Sequence, residues 1–304
     1  MINTIRTKRR RFLKGSLGTA ALGALGSRAF ASKATPTPSL NLTDPSSRAK
    51  IRAKVLGSTR NELVYTFYRL HIYGYMNDGN LIPFFTMNNL NLTRWSALEN
   101  GNFATVGAEC GVYCKFDTDE VLDVWENPIT HEKRKVWEFI GGPLVTEIGP
   151  DGIVTDGAAE LKPEVLRMEI LGNKLFMPTQ AALSMPNPFT PEKWPKSSSG
   201  KTRYWDSLLV ASADVADVAD PNVTNVRAFL QFQNLGSWHP WLGMGGYEGR
   251  TYGRAYGTKL ASLDELPKSV LKGIEAKTPE IFNYESWQTP RIDMLDYMNA
   301  HTPE

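Results

Sequence analysis

Arg69 and His71 stand two residues apart inside ELVYTFYRLHIYGYM (Glu62–Met76), a run otherwise apolar or aromatic at nearly every position. Successive side chains of a strand alternate between its faces. Arg69 and His71 therefore share a face with Leu63, Tyr65, Phe67, Tyr73 and Tyr75, while Val64, Thr66, Tyr68, Leu70, Ile72 and Met76 form the other. An arginine among rings can stack on them and aim its planar fork at a carboxylate, carbonyl or phenolate. A neighbouring histidine can move a proton near neutral pH. The plainer reading pairs Arg69 with an internal carboxylate such as Glu109 and buries His71 as a hydrogen-bonded core residue.

A second group is AECGVYCKFD (Ala108–Asp117), in which Glu109, Gly111 and Tyr113 alternate with Cys110, Val112, Cys114 and Phe116. With the Glu/Tyr face turned inward, a carboxylate enters a low-dielectric chamber, the circumstance that makes an acid–base catalyst. A structural salt bridge is the competing reading. A third group is SWHPWLGMGGYEG (Ser237–Gly249), where Trp238, His239, Trp241 and Met244 in a Gly-rich turn offer broad apolar contact and one titratable ring. It suits either the mouth of a pocket for a flat, greasy molecule or a plug closing one end of the fold. Tyr252, Arg254 and Tyr256 then alternate with small residues on the next strand, as in the opening run.

These residues need a scaffold, and the chain offers strands. Strand patterns dominate from Ile51 to about Lys259, punctuated by turn signals such as Asn77-Asp78-Gly79-Asn80, Asn127-Pro128 and Pro150-Asp151-Gly152. Many short strands with few early helices favour an antiparallel barrel or strongly curved sheet over strand–helix alternation. Helices collect at the end: Ser262-Leu263-Asp264-Glu265 reads as a capping box opening one, and a second is expected over Ile292–Asn299. The Pro/Ser/Gly-rich stretch Ser184–Tyr204 reads as a long loop, a lid or an unstructured segment. Asn127-Pro-Ile-Thr-His-Glu-Lys133 and Asn187-Pro-Phe-Thr-Pro-Glu-Lys193 echo each other and read as two similar turns that arose independently.

The first 31 residues read as a signal peptide. A basic start, a short mild apolar run and the small-residue pattern Ala29-Phe30-Ala31 precede the expected cleavage, and Arg9-Arg10-Arg11-Phe12-Leu13-Lys14 fits the twin-arginine type. The twin-arginine translocase is thus an expected partner and the periplasm, or another exported location, the expected destination. Residues 32–50 read as a flexible tether and 51–304 as one domain. The full chain carries a formal charge of +2, but residues 1–31 hold seven basic residues and no acidic ones, so the mature chain is acidic, about −5. Nucleic acid needs a basic footprint and is not an expected partner. No later stretch is long and apolar enough for a transmembrane helix.

Cys110 and Cys114 would lie about 13 Å apart on one strand face, too far for a disulfide, and read as buried free thiols. Dinucleotide, P-loop, haem-attachment, zinc-protease and nucleophile-elbow motifs are missing, and four scattered histidines do not assemble a metal site.

The order of Glu109, Tyr113 and Asp117, then TDEVLDVWENPIT (Thr118–Thr130, with Trp125), then Gly142-Pro143, then PWLGMG with later Gly and Lys259, resembles the bacterial domain-of-unknown-function family eighteen-thirty-eight. Many of its members carry twin-arginine signals. The resemblance spans about Glu62 to Lys259, with Gly141-Gly142-Pro143-Leu144 where the family has Asn-Asp-Pro-Val, and it implies a calycin-like barrel but no reaction. The expected fold is therefore mainly β: a lipocalin-like antiparallel barrel or strongly curved sheet with C-terminal helices. The expected activity is binding of a small hydrophobic or aromatic molecule. Isomerase, hydratase/dehydratase or cyclase chemistry without a cofactor would need only a positioned acid, base and dry chamber. His71 or Glu109 is the expected proton-transfer group, Tyr113 a donor, and Arg69 an anchor among Tyr65, Phe67 and Tyr73. Trp125, Trp238, His239, Trp241, Met244 and Tyr252 are the expected walls. A non-catalytic carrier or sensor, or a scaffold with a filled barrel, would use the same fold.

Overall fold

The computed structural model describes residues 39–154, 164–287 and 291–301. The expected signal segment and the first residues of the expected tether lie outside them. The tether gives way early: Asp44 accepts the Ser47 amide at 2.7 Å, Pro45 takes the first helical position, and helix α1 runs Pro45–Leu56. The Asp-Pro-Ser-Ser composition that reads as a linker is also that of a helix start, because a capping carboxylate and a pre-set proline φ serve both.

Three long strands follow, β1 (Glu62–Met76), β2 (Leu81–Ala97) and β3 (Phe103–Cys114), each antiparallel to the last. A small hairpin, β4 (Val124–Glu126) with β5 (Lys133–Lys135), precedes β6 (Phe139–Gly149) and β7 (Gly152–Val154). Short β8 (Glu164–Val165) and β9 (Glu169–Leu171) flank β10 (Lys174–Pro186), which pairs with β11 (Thr202–Asp214). After α2 (Val215–Ala219) come β12 (Phe229–Gly236) and β13 (Gly249–Leu260), then α3 (Lys268–Lys277), β14 (Arg291–Ile292) and α4 (Asp293–Ala300). The main sheet runs β14-β6-β3-β2-β1-β13-β12-β11-β10-β8, wholly antiparallel and curled into a half-barrel. The chain is mainly β, as its turn punctuation indicated.

Register sorts the side chains. On the inner face stand Tyr68, Leu70 and Ile72 of β1, Met87, Asn89 and Asn91 of β2, and Glu109 and Tyr113 of β3. Ile51 and Val55 of α1 pack among Leu175, Met177, Ala211 and Leu230 on that face and fill one end of the half-barrel. Trp238, Trp241, Leu242 and Met244 pack with Phe84, Phe85 and Trp125 at the other. On the outer face, Cys110, Val112, Cys114, Leu90 and Leu92 pack with Val270 and Ile274 of α3. Helix α3 thus buttresses the sheet from outside.

Two local expectations change. The Ser262–Glu265 capping box opens no α-helix: Leu263–Glu265 is a 3₁₀ turn and α3 begins at Lys268. Pro267 lacks the amide that a helix starting at Leu263 would need, so the helix starts after it. The loop between β10 and β11 is ordered rather than loose, with Phe189 and Trp194 buried and the Gly245 amide bonded to Lys196 O at 2.8 Å.

Candidate functional site

Between the α1 end and the tryptophan end, the inner face encloses a cavity of about 380 Å³. Its walls are aliphatic and aromatic. Leu70, Ile72, Met87 and Leu209 rise from the strands, with Phe85, Phe139, Phe232 and Trp205 around them. Trp205 is 40% exposed and marks the mouth, whereas Trp241 and Leu242 are buried and close the far wall. A pocket of this size with an apolar lining and few polar groups matches a small-molecule site.

The tryptophan wall is held by a ring cluster and one side-chain amide. Trp241 stacks on Phe85 (centroids 5.3 Å apart) and meets Tyr113 and Trp125 edge-on at 5.1 and 5.5 Å. Asn127 donates to Leu242 O at 3.0 Å and to the Met244 sulfur at 3.1 Å, while its Oδ1 accepts from the Ile129 amide at 2.8 Å. Asn187 makes the corresponding turn, its Oδ1 accepting from the Phe189 amide at 3.1 Å. The repeated Asn-Pro motif is therefore the same side-chain-capped turn used twice, each time fastening a loop.

The polar groups sit on strands. Glu109 lies beside an irregularity in the β3–β6 pairing, opposite Gly141, whose missing side chain leaves room for the carboxylate. The Asn89 amide donates to Glu109 Oε2 at 3.2 Å, and Asn91 donates to Asn89. Burial first, and the Glu109 charge second, push the Tyr68 phenol well above its ordinary pKa, so it is a neutral donor at neutral pH. Asn234, Thr251 and His239 complete the polar set.

The expected residues divide between the two faces. Glu109, Tyr113, His239 and Trp241 line the chamber, and Trp125, Trp238 and Met244 back its wall. Arg69, His71, Tyr65, Phe67, Tyr73 and Tyr252 are on the opposite side of the sheet. Arg69 pairs with Asp119 at 2.5 Å, not with Glu109, and His71 meets Asp117 at 3.0 Å and Phe116 edge-on. Tyr65 and Phe67 pack on the α3 side, where burial, followed by a hydrogen bond with Tyr284, pushes the Tyr65 phenol up to about 12. Arg254 stacks over Tyr73 and Tyr252. The anchor, the imidazole and the Glu/Tyr pair thus do not form one constellation, because an odd residue of β1 lies opposite an even residue of β2, and Glu109 answers to Tyr68's side.

The polar residues that sequence reasoning missed are Tyr68, Asn89, Asn91, Asn234 and Thr251. A signal was present in PFFTMNNLNL: Asn89 and Asn91 recur two apart on a strand otherwise apolar, where asparagine is disfavoured without a partner. Among the described residues, no group of three or more His, Cys, Asp or Glu side chains is placed to hold a metal ion. No helix there is long and apolar enough to cross a membrane.

No curated protein matches the chain. Among solved structures, the crystal structure of the outer membrane enzyme PagL is similar at 6% identity, covering 64% of this chain and 99% of that one, with a TM-score of 0.24. That level carries nothing over to fold or chemistry. A family model described as "Protein of unknown function (DUF1838)" matches residues 61–298, most of the domain, and the chain belongs to that family.

Proposed function

We propose that this protein is exported by the twin-arginine route and binds a small hydrophobic or aromatic molecule in the half-barrel chamber. The observation that carries the reading is the cavity of about 380 Å³ walled by rings and aliphatic side chains on the sheet's inner face. A scaffold with a filled barrel would not keep such a space. Native mass spectrometry of mature protein from its own envelope, followed by denaturing extraction, tests it. A bound apolar small molecule supports the reading. A bare chain that also fails to bind any aromatic probe at millimolar concentration would overturn it.

One observation favours catalysis over carriage alone. Glu109 stands in the apolar wall within the electrostatic reach of the Tyr68 phenol, so a carboxylate and a neutral donor face the same occupant. A proton abstracted at one point and a hydrogen bond given at another suffice for an isomerisation or elimination, with no cofactor invoked. Incubating the extracted molecule with wild-type and Glu109→Gln protein separates the two readings. Turnover lost in the variant with affinity kept assigns catalysis, and no change of the molecule with either protein assigns a carrier or sensor.

A further inference from the structure

The exposed rings of this protein gather at one end. Among the described residues, Tyr75, Tyr204, Trp205, Phe229, Tyr247 and Tyr256 are the exposed aromatic side chains. Tyr75, Tyr204, Trp205 and Tyr247 stand together where the β1–β2 turn meets the β10–β11 and β12–β13 loops. Tyr75 lies opposite the exposed Leu81 on β2 and opposite Arg250 on β13, and the Arg250 guanidinium sits 5.2 Å above the Tyr204 ring. Tyr204 O accepts from the Ser237 amide at 2.9 Å, and Tyr247 O accepts from Trp238 Nε1 at 2.9 Å. This end is continuous with the chamber, because Trp205 lines the cavity and is also 40% exposed at its mouth.

The loop beside these rings is basic. Lys193, Lys196, Lys201 and Arg203 fall in the stretch KWPKSSSGKTR, which holds no acidic residue, and the three lysines are exposed. Asp78, Glu192, Asp206 and Glu248 lie around the rim, and Glu248 accepts from the Asn77 amide at 3.0 Å. In a chain whose expected mature form is acidic, the loop is a local reversal of charge. Tyrosine and tryptophan are the residues that settle at the headgroup level of a bilayer, one end apolar and the other wet. Lysine is depleted at protein–protein interfaces, whereas an anionic lipid surface attracts it.

Resting on the binding reading above, we propose that this end of the half-barrel docks on the surface of an anionic phospholipid bilayer. Tyr75, Leu81, Tyr204 and Tyr247 lie at headgroup level, and the Lys193–Arg203 loop faces the lipid phosphates. The long stems of the lysines rest on the apolar surface while their ammonium groups meet the phosphates. Trp205 then stands between bilayer and chamber, so an apolar molecule passes from one to the other without crossing water.

Flotation of the mature protein with vesicles tests this, using phosphatidylcholine alone and phosphatidylcholine with phosphatidylglycerol in equal parts. Binding to the mixed vesicles should be about tenfold tighter and should weaken as salt is raised. Lys193→Gln with Lys201→Gln should cut binding to the mixed vesicles about tenfold and leave the neutral vesicles unaffected. Tyr204→Ser with Tyr247→Ser should weaken both severalfold. Phe229→Ser removes an exposed ring at the other end of β12 and should change neither. Thermal melts confirm that each variant folds. No binding to either vesicle, binding that survives both double variants, or an equal loss in Phe229→Ser would overturn the proposal. So would a dimer in solution that depends on Tyr204 and Tyr247, which would assign the rings to a second copy. An aromatic probe is titrated into the same preparations. A probe that binds where vesicles do not overturns the docking alone, and vesicle binding without any probe binding overturns the chamber reading instead.

Discussion

The ammonium of Lys259, on the inner face of β13, reaches the C-terminal end of α1 and donates to Lys54 O at 2.9 Å and to Gly57 O at 2.5 Å. A buried lysine thus closes the helix that fills one end of the half-barrel, placing its positive end where the helix presents unsatisfied carbonyls. Burial lowers its pKa to about 7, with Glu62 opposing the shift.

The sign of the linkage follows. The folded value lies below the ordinary lysine value of 10.5, so between these two the unfolded chain binds more protons. The Lys259 contribution to stability therefore rises with pH from about 7 to 10.5, and below 7 the folded state bears the full cost of a buried charge. Lys259→Met removes that cost and also leaves Gly57 O without its donor, so the variant should be least stable relative to wild type near pH 10, where the wild-type lysine is a neutral donor. The variant's stability should also rise less steeply than wild type between pH 7 and 10. Urea melts across that range read both effects, and parallel slopes would show that Lys259 is not the titrating group.

Trp95 lies flat against Gly57 at the end of α1. A β-carbon at residue 57 would fall 1.9 Å from the indole, far inside contact distance. Gly57→Ala should destabilise the protein by about 3 kcal/mol through overpacking against a rigid ring. Adding Trp95→Leu should recover part of that loss. Thermal melts of the single and double variants would show strong non-additivity, as expected for residues in contact.

Arg69 and His71 belong to the outer face, so their substitution should separate stability from ligand handling. Arg69→Met leaves Asp119 without its guanidinium and should cost about 1–2 kcal/mol, with the affinity of an aromatic probe for the chamber unchanged. His71→Gln should behave in the same way. A tenfold affinity loss in either variant at unchanged melting temperature would return the outer face to consideration as the site.

Cys110 and Cys114 are both free and buried on the outer face beneath α3. Burial pushes the Cys110 thiol up to about 12, and Cys114 is raised for the same reason. Neither should form thiolate at neutral pH, so neither should react with a chromogenic disulfide in the native protein. Both should react in guanidinium chloride. Fast native labelling would mean that α3 leaves the sheet.

The sequence made the β architecture legible because strand composition and turn residues are local signals, present around β1, β3 and β13 without knowledge of their neighbours. It also placed Glu109 and Tyr113 on one strand face with the tryptophan turn as a wall. It could not say which face of β1 looks inward. Both faces of that strand are apolar, and the choice is made by the apolar cluster to which Leu260, Leu266, Ile281 and Tyr284 belong, which packs with Leu63, Tyr65 and Phe67 from a part of the chain two hundred residues later. Arg69 and His71 drew notice as the unusual residues, yet each is accounted for by an aspartate in the turn after β3, a pairing with no sequence signature. The polar groups that line the chamber are plainer ones, and asparagine in a strand attracts less attention than arginine.

The adjacency of β1 and β13 at the centre of the sheet has a kinetic side. The strand that opens the domain has one of its two neighbours almost at the domain's far end, Tyr65 facing Leu260, so the loop to be closed is nearly the whole domain. Chain-closure entropy of that order slows folding toward the millisecond-to-second range. Until residue 260 has been synthesised, β1 waits with one edge unpaired and the chamber has no floor. Nothing resembling the finished site exists on a partial chain, and assembly of the pocket becomes the last act of folding rather than an early one.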